Sequence, residues 1–207
     1  MSARATTESS RAARAAARLE RTAPLRARLS ERRWRHTLSV AETAYALAEA
    51  LGWTARDRGR AVTAALLHDV AKDLPQEEQL RRAGGPDPQD AGFPGLVHAR
   101  AGAAVAREEF GIADAELLRA VALHPTSSAD ATPLGWVLFA ADALEPTRRH
   151  LESADRDLLR RALAGELTLA ELSHAVLARK LTWVLARGLP VHPRSVEAWN
   201  ALCRGRA

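Results

Sequence analysis

Apolar side chains recur along most of the chain at spacings of three and four positions, the period of an α-helix that buries one face. The clearest case runs from Trp34 to Ala48. Ser30 before this segment and Gly52 after it are typical of a helix cap and a helix end. The sequence has no segment in which β-branched residues alternate strictly with polar ones. The pattern therefore predicts an all-α protein.

The same signals predict further helices towards the C-terminus. Thr54 to Asp57 resembles a capping box and opens a helix that Pro75 would end at Leu74. The stretch "GGPDPQDAGFPG", residues 84–95, is a clear loop, and long loops in compact domains are often functional lids. The other predicted helices span residues 76–83, 96–110, 115–124, 133–144, 154–164, 169–187 and 196–202, the last one after Ser195 as its cap.

Length and composition fit one domain. With 207 residues, of which 47% are hydrophobic, the chain can bury a substantial core. We expect a single compact helical bundle over residues 25–203, after an alanine- and arginine-rich tail or extra helix over residues 1–24. No segment reaches the roughly 20 apolar residues that span a bilayer, and the start lacks an apolar secretory signal. Cys203 is the only cysteine, which suits a reducing compartment and predicts a cytoplasmic protein without a membrane partner.

The basic character of the chain says little about its partners. A net charge of +5 and a pI near 10.5 are compatible with a polyanion such as nucleic acid or a nucleotide phosphate chain. Lysine occurs only at positions 72 and 180 among 30 basic residues, which indicates a compositional preference for arginine across the chain. Aromatic residues make up 4% and are not interleaved with basic ones, and this disfavours a nucleic-acid partner.

The segment "AALLHDVAKDLP", residues 64–75, holds the first candidate chemistry in His68 and Asp69. A single histidine in an apolar setting is usually a core or capping residue. Further histidines in similar settings weaken that interpretation, and Asp142 in the apolar "LFAADALEP" needs a cation or several donors. Imidazoles and carboxylates gathered from different helices suit a first-row transition metal. These further histidines are His36, His98 and His124.

The order of these residues resembles the H…HD…D signature of the HD-domain superfamily of metal-dependent phosphohydrolases, with the two additional histidines of its binuclear members. Five segments, "RRWRHTLSVAETAYALAE", "AALLHDVAKDLPQEE", "LVHARAGAAVAREEFGI", "FAADALEPTR" and "HPRSVEAWNAL", are similar to the YqeK family of bacterial symmetrical diadenosine tetraphosphate hydrolases. The resemblance covers residues 25–202. It implies a di-iron centre, bridged by Asp69, that cuts the tetraphosphate in its middle and releases two ADP. The implied metal ligands are His36, His68, Asp69, His98, His124 and Asp142.

Asp69 and Lys72 are the candidate catalytic residues. Two metals sharing Asp69 and a solvent oxygen would lower the pKa of that solvent to about 7 and supply the nucleophile. Lys72 lies one turn beyond His68, and the resemblance also places a lysine there. Its charge would stabilise the transferring phosphate, although an ion pair with Asp69 or Asp73 is the alternative.

Two further residues are candidate substrate contacts together with Lys72. Arg148 is placed to grip a phosphate, or else is a solvated surface arginine. After His124 the family usually has a Thr-Thr-Gly turn, whereas this chain has Pro125-Thr126-Ser127-Ser128. Thr126 either contacts phosphate or forms the turn. The remaining histidines, at positions 150, 174 and 192, are predicted surface or packing residues, and Trp34, Trp136 and Trp183 are predicted core residues.

Symmetrical hydrolysis of diadenosine tetraphosphate, a nucleotide polyphosphate substrate, is the leading hypothesis. One alternative is another HD-type phosphohydrolase that acts on nucleoside monophosphates or guanosine alarmones. Another is a non-catalytic basic helical module that binds RNA or protein around a structural metal, but such a site needs only four ligands. Iron follows from the resemblance alone, since manganese, zinc and nickel also suit these ligands. The sequence is compatible with a monomer and with a homodimer.

Overall fold

The computed structural model describes residues 22–149 and 151–205, and these contain ten α-helices and no β-strand. The predicted all-α class is confirmed. No helix within these ranges is long and apolar enough to cross a membrane. The helices are α1 (Thr22–Arg28), α2 (Glu31–Ala50), α3 (Ala55–Leu67), α4 (Gln76–Arg82), α5 (Val97–Phe110), α6 (Ala115–Leu123), α7 (Pro133–Leu144), α8 (Ser153–Leu163), α9 (Leu169–Leu185) and α10 (Pro193–Arg204).

Side-chain caps set the starts of several helices. Ser30 accepts a hydrogen bond from the backbone N–H of Arg33 at the start of α2, and Thr132 accepts one from Gly135 at the start of α7. Thr168 opens α9 with a complete capping box. These starts are the predicted ones, because each depends on residues that are adjacent in the sequence.

The predicted end of α3 at Leu74 is wrong. The α-helix ends at Leu67, and a series of tight turns follows it. Lys72 N–H donates to the carbonyl of Asp69 at 2.9 Å, so bonds that span three residues replace the four-residue bonds of the helix. His68 and Asp69 therefore lie at the helix end and just beyond it. Their backbone turns more tightly than a continued α-helix would allow.

The predicted start of α10 is also wrong. The helix begins at Pro193, earlier than expected, and its cap is His192 and not Ser195. The Nδ1 atom of His192 accepts the N–H of Arg194, and proline is well suited to the first helical position. Ser195 has another role, because its hydroxyl donates to the carbonyl of Thr126 at 2.9 Å.

Helices α3 and α7 form the centre of the bundle. Leu66 of α3 and Phe139 of α7 are buried, and most side chains of α7 face the core. Many surrounding core residues are alanines, which let helix backbones approach closely. Gly102 of α5 lies against the end of α3, where a Cβ atom would be 3.4 Å from the carbonyl oxygen of His68. This packing brings several helix ends to one place.

The long loop over residues 84–95 is tied down by one buried carboxylate. Asp90 accepts hydrogen bonds from Arg100 of α5 and Arg194 of α10, each at 2.9 Å, and His192 lies 3.3 Å from it. Short 3₁₀ segments at Pro88–Asp90 and Pro94–Leu96 give the loop internal structure. The loop is therefore an ordered link between α4 and α5.

Some predictions concern single residues or the chain start. Trp136 is buried and Trp34 is partly buried, as predicted, but Trp183 is 45% exposed and the prediction for it is wrong. It lies near the end of α9, beyond the part of that helix that packs on α7. The predicted tail or extra helix over residues 1–24 lies outside the described residues except for its last three, which belong to α1, and the prediction for His150 also lies outside them. The proposed domain limits stay a prediction.

Candidate metal centre

All six predicted metal ligands meet at one place in the bundle. His36 comes from the middle of α2, His68 from the end of α3, His98 from the start of α5 and His124 from the end of α6. Asp69 follows α3, and Asp142 projects from α7. Potential ligand atoms of two groups lie within 4.8 Å of one another: His36, His68 and Asp69, and Asp69, His98 and His124.

Asp69 belongs to both groups and directs one oxygen to each. Its Oδ1 lies 3.2 Å from Nε2 of His98 and 3.8 Å from Nε2 of His124. Its Oδ2 lies 3.6 Å from Nε2 of His68 and 3.9 Å from Nε2 of His36. Asp142 lies on the side of His36 and His68, with its Oδ1 3.2 Å from Nε2 of His36. This is the arrangement expected of a carboxylate that bridges two ions.

The other ring nitrogen of each histidine is held by the protein. Nδ1 of His68 lies 2.6 Å from the carbonyl of Ala65, and Nδ1 of His124 lies 2.8 Å from that of Val121. Nδ1 of His98 lies 2.8 Å from a carbonyl in the same way. Because a carbonyl only accepts hydrogen bonds, Nδ1 of His68 and of His124 carries the proton, and Nε2 of each keeps its lone pair directed into the centre.

The charges of the centre suit a cation. Burial opposes ionisation of Asp69, but the surrounding histidines outweigh it and hold the pKa of Asp69 well below its usual range. Burial also opposes ionisation of Asp142, and Arg148 more than compensates, so that its pKa is also low. Burial lowers the pKa of His68 and His124, which keeps both rings neutral at pH 7. Ionised carboxylates and neutral imidazoles are the forms that bind metals.

The geometry also fits such an ion. A first-row metal binds nitrogen and oxygen ligands at about 2.1 Å, which places neighbouring ligand atoms about 3 Å apart. The Nε2 atoms of His36 and His68 are 3.3 Å apart, and those of His98 and His124 are 3.4 Å apart. The cluster is therefore consistent with divalent metal binding, and its donors are all nitrogen and oxygen.

Two arginines contact the carboxylates of the centre. Arg148 forms an ion pair with Asp142 and donates to its backbone carbonyl, so it is a half-buried part of the site and not a solvated surface arginine. Arg33 donates to Oδ2 of Asp69 at 2.7 Å. Sequence reasoning missed Arg33. Its position one turn before His36 was a usable signal. The segment "RRWR" contains three arginines, however, and the sequence does not show which of them faces the centre.

Lys72 lies at the edge of the centre. Its Nζ is 2.9 Å from Nδ1 of His98 and donates to the carbonyl of Gly95 at 3.2 Å. It forms no ion pair with Asp69 or Asp73, both in the described part of the chain; Asp73 accepts the backbone N–H of Ser30. Burial lowers the pKa of Lys72, and Asp69 opposes that shift. The alternative of an ion pair with Asp69 or Asp73 is therefore wrong, and the predicted role of Lys72 in catalysis stays a prediction.

The turn after His124 is closed by the backbone N–H groups of Thr126 and Ser127, which donate to the carbonyl of Leu123 at 3.1 and 2.8 Å. Ser127 has a φ of 60°, the left-handed region, at the position where the related pattern has glycine. A serine there costs about 1 kcal/mol relative to glycine. The Thr126 hydroxyl donates to the carbonyl of Ser127 at 3.0 Å and is buried, which is the turn-forming role. A contact from Thr126 to phosphate stays a prediction.

Glu145 is a second residue that sequence reasoning missed. It is 1% exposed, and its Oε1 lies 2.9 Å from Nδ1 of His36. Burial opposes protonation of His36, but Asp142 and Glu145 outweigh it and raise the pKa of His36 to about 9, so this ring must lose a proton when a metal binds. Its other oxygen accepts two hydrogen bonds from Thr147. The signal was a carboxylate one turn after Asp142, directly before a proline.

We expect Glu145→Leu to weaken metal binding by about 10- to 100-fold, because a partner that orients a ligating histidine contributes about this much. Glu145→Gln keeps an acceptor for Nδ1 of His36 and should retain most of the affinity. Competition with a chromophoric chelator measures both values. An unchanged affinity in Glu145→Leu would show that His36 is oriented without this carboxylate.

A helical bundle that gathers four histidines and two aspartates in this way defines the class of HD-type metal-binding hydrolases. The HD domain model matches residues 33–147. A relative from Halalkalibacterium halodurans, named symmetrical bis(5'-nucleosyl)-tetraphosphatase, is 33% identical over 84% of this chain and 90% of its own length. A relative of the same name from Bacillus subtilis is 30% identical over 91% of this chain and 98% of its own length.

A solved structure agrees with these relatives. An HD superfamily hydrolase from Clostridium acetobutylicum, described as involved in NAD metabolism, matches with a TM-score of 0.77 and 26% identity. The match covers 87% of this chain and 94% of that one. The chain belongs to the HD domain family and, within it, to the YqeK-like group of the two named relatives.

Proposed function

We propose that this protein is a metal-dependent hydrolase that cleaves diadenosine tetraphosphate in its middle and releases two ADP. Two relatives that the chain matches over most of their length carry the name of this activity. The observation that supports it most strongly is the pair of ligand groups that share Asp69 in a chain of this family. A bridging carboxylate is a feature of two-metal hydrolysis, and a single structural ion has no need of one.

We propose two divalent or mixed-valence ions as the cofactor, held by the six residues of the centre. Such ions, when bound, polarise phosphate oxygens and make water acidic enough to lose a proton near neutral pH. Iron is the proposed metal because of the family, and manganese, zinc or nickel would also suit nitrogen and oxygen donors. Glu145 and the three backbone carbonyls keep the rings oriented towards the centre.

Two cations of the chain are proposed to bind the phosphates. Lys72 borders the centre beside His98, and Arg148 borders it beside Asp142, so they flank it on two sides. Hydrolysis moves negative charge onto the oxygens around the attacked phosphorus. A fixed ammonium and guanidinium beside those oxygens stabilise the transition state more than the bound substrate. Asp69 is the proposed catalytic carboxylate because both halves of the centre depend on it.

The proposal predicts a single product. Iron- or manganese-loaded protein incubated with diadenosine tetraphosphate should yield only ADP, which anion-exchange chromatography resolves from AMP and ATP. Parallel incubations with nucleoside monophosphates and with guanosine alarmones test the alternative substrates of this family. AMP plus ATP would contradict symmetrical cleavage, and faster turnover of an alarmone or a monophosphate would contradict the substrate assignment. Metal-free protein is the control.

We propose that the protein works in the cytoplasm, where a chain with one exposed cysteine stays reduced. Its partner there is the nucleotide substrate, and the active unit is a monomer or a homodimer. The competing hypothesis of a purely binding module is weaker because its structural ion would need only four ligands. It would gain support if the metal-loaded protein bound RNA and turned over no nucleotide.

A further inference from the structure

Lys180 of α9 extends towards the turn that follows His124. Its Nζ donates to the carbonyl oxygen of Pro125 at 2.6 Å and lies 4.8 Å from the centre of the Phe139 ring. Neither partner carries a negative charge. Lys180 forms no ion pair with any carboxylate of the described residues. A half-buried ammonium without a carboxylate partner favours an anionic ligand, because desolvated charges are costly when unpaired.

The position of Lys180 relates it to the metal centre. Pro125 directly follows the ligand His124, and Phe139 lies one turn before the ligand Asp142 on α7. Burial lowers the pKa of Lys180 to about 8, Asp142 opposes this shift, and Arg148 and Lys72 add to it. The two contacts of Lys180 therefore place it beside two segments that carry proposed ligands of the centre.

The choice of lysine supports the same conclusion. The chain contains only two lysines among 30 basic residues, and both lie beside the metal centre. A lysine carries a compact charge that can approach a single phosphate oxygen, whereas the guanidinium of arginine is broad and planar. Lys72 borders the centre on the side of His98, and Lys180 borders it on the side of His124. Both ammonium groups thus border the half of the centre that His98 and His124 share, where the two Nε2 atoms are 3.4 Å apart.

We propose that Lys180 is a substrate-binding residue that contacts a phosphate on the His124 side of the centre, next to the phosphate at Lys72. This inference rests on the proposed function and specifies how the site holds a chain of four phosphates. With two lysines beside the half of the centre that His98 and His124 share, the site binds this part of the phosphate chain through two separate ammonium groups.

The test compares metal-loaded Lys180→Met and Lys180→Arg with the wild type. The probe is ADP, whose binding is measured by calorimetry, and KM and kcat are measured with diadenosine tetraphosphate. Losing one hydrogen bond between charged groups should weaken ADP binding by about 10- to 100-fold and raise KM. Lys180→Arg keeps the charge but not the compact shape, so it should restore only part of the affinity. Arg187→Met is the matched control, because Arg187 is an exposed cation just beyond the same helix that stacks on Trp183.

The outcomes are distinct. If Lys180→Met binds ADP and turns over the tetraphosphate like the wild type, the inference is wrong. The inference is also wrong if the variant binds less metal and melts at a lower temperature, but the metal-loaded fraction binds ADP as tightly as the wild type. That result would mean that Lys180 only stabilises the turn at Pro125. If Lys180→Met does not fold, Lys180→Gln takes its place. If the wild type does not cleave the tetraphosphate but Lys180→Met still loses ADP binding, the phosphate site is supported and the proposed function is wrong.

Discussion

Asp69→Asn is expected to lower kcat/KM for diadenosine tetraphosphate by about 1,000-fold or more. The carboxylate of Asp69 directs one oxygen to His98 and His124 and the other to His36 and His68. An amide supplies one weaker oxygen ligand and a nitrogen that does not bind metal, so at least one half of the centre loses a ligand. Metal activation contributes several kcal/mol to such reactions, and about 4 kcal/mol corresponds to a thousandfold.

Steady-state kinetics together with metal analysis by mass spectrometry test this expectation. Asp73→Asn is the matched control, because Asp73 lies in the same turn but contacts the backbone N–H of Ser30 and not the histidines. The control should keep its metal content and lose little activity. Asp69→Asn with normal metal content and activity within tenfold of the wild type would rule out a bridging role for Asp69.

Leu66→Ala is expected to lower the free energy of unfolding by about 2–5 kcal/mol, the range for buried leucines. Leu66 is fully buried in α3, two residues before His68, in a core cluster that contains many alanines, whose short side chains cannot extend to fill a cavity. For a protein of this size each kcal/mol corresponds to about 2–4 °C in melting temperature. Denaturant unfolding of the metal-free protein, followed by circular dichroism, measures the loss.

Leu163→Ala is the control for this substitution. Leu163 is 42% exposed at the end of α8, so the same chemical change should shift stability by no more than about 0.5 kcal/mol. Equal losses in the two variants would mean that the region around Leu66 collapses into the space left by the side chain. In that case the helices beside His68 would rearrange more easily than their close packing in the structure indicates.

Local sequence signals explain which parts of the fold could be predicted. The bounds of α7 follow from Thr132 as cap, Pro133 at the first helical position and the end of the apolar run at Leu144. The end of α3 had no such signal, because a helical pattern continues to Pro75. There the chain leaves the helix early at a contact with α5, whose Gly102 lies far away in the sequence.

In the candidate site, too, some residues could be predicted from the sequence and others could not. The six proposed ligands could be predicted because their order and residue types match a family pattern, and the structure brings these residues together. Glu145 and His36 are 109 positions apart and Arg33 and Asp69 are 36 apart, so no local rule pairs them. The only signal for Lys180 in the sequence was that it is one of two lysines. Residues that orient a ligand or border a site depend on tertiary packing, which a single sequence does not display.

Three of the four histidines of the metal centre lie with Nδ1 2.6–2.8 Å from the carbonyl oxygen of the residue three positions earlier in the chain. A free imidazole in the unfolded chain rotates about two bonds and exchanges its proton between both nitrogens. At this centre that freedom is lost when the helices pack, before any ion arrives. The ordering entropy of these rings is therefore a term in the folding equilibrium and not in metal uptake.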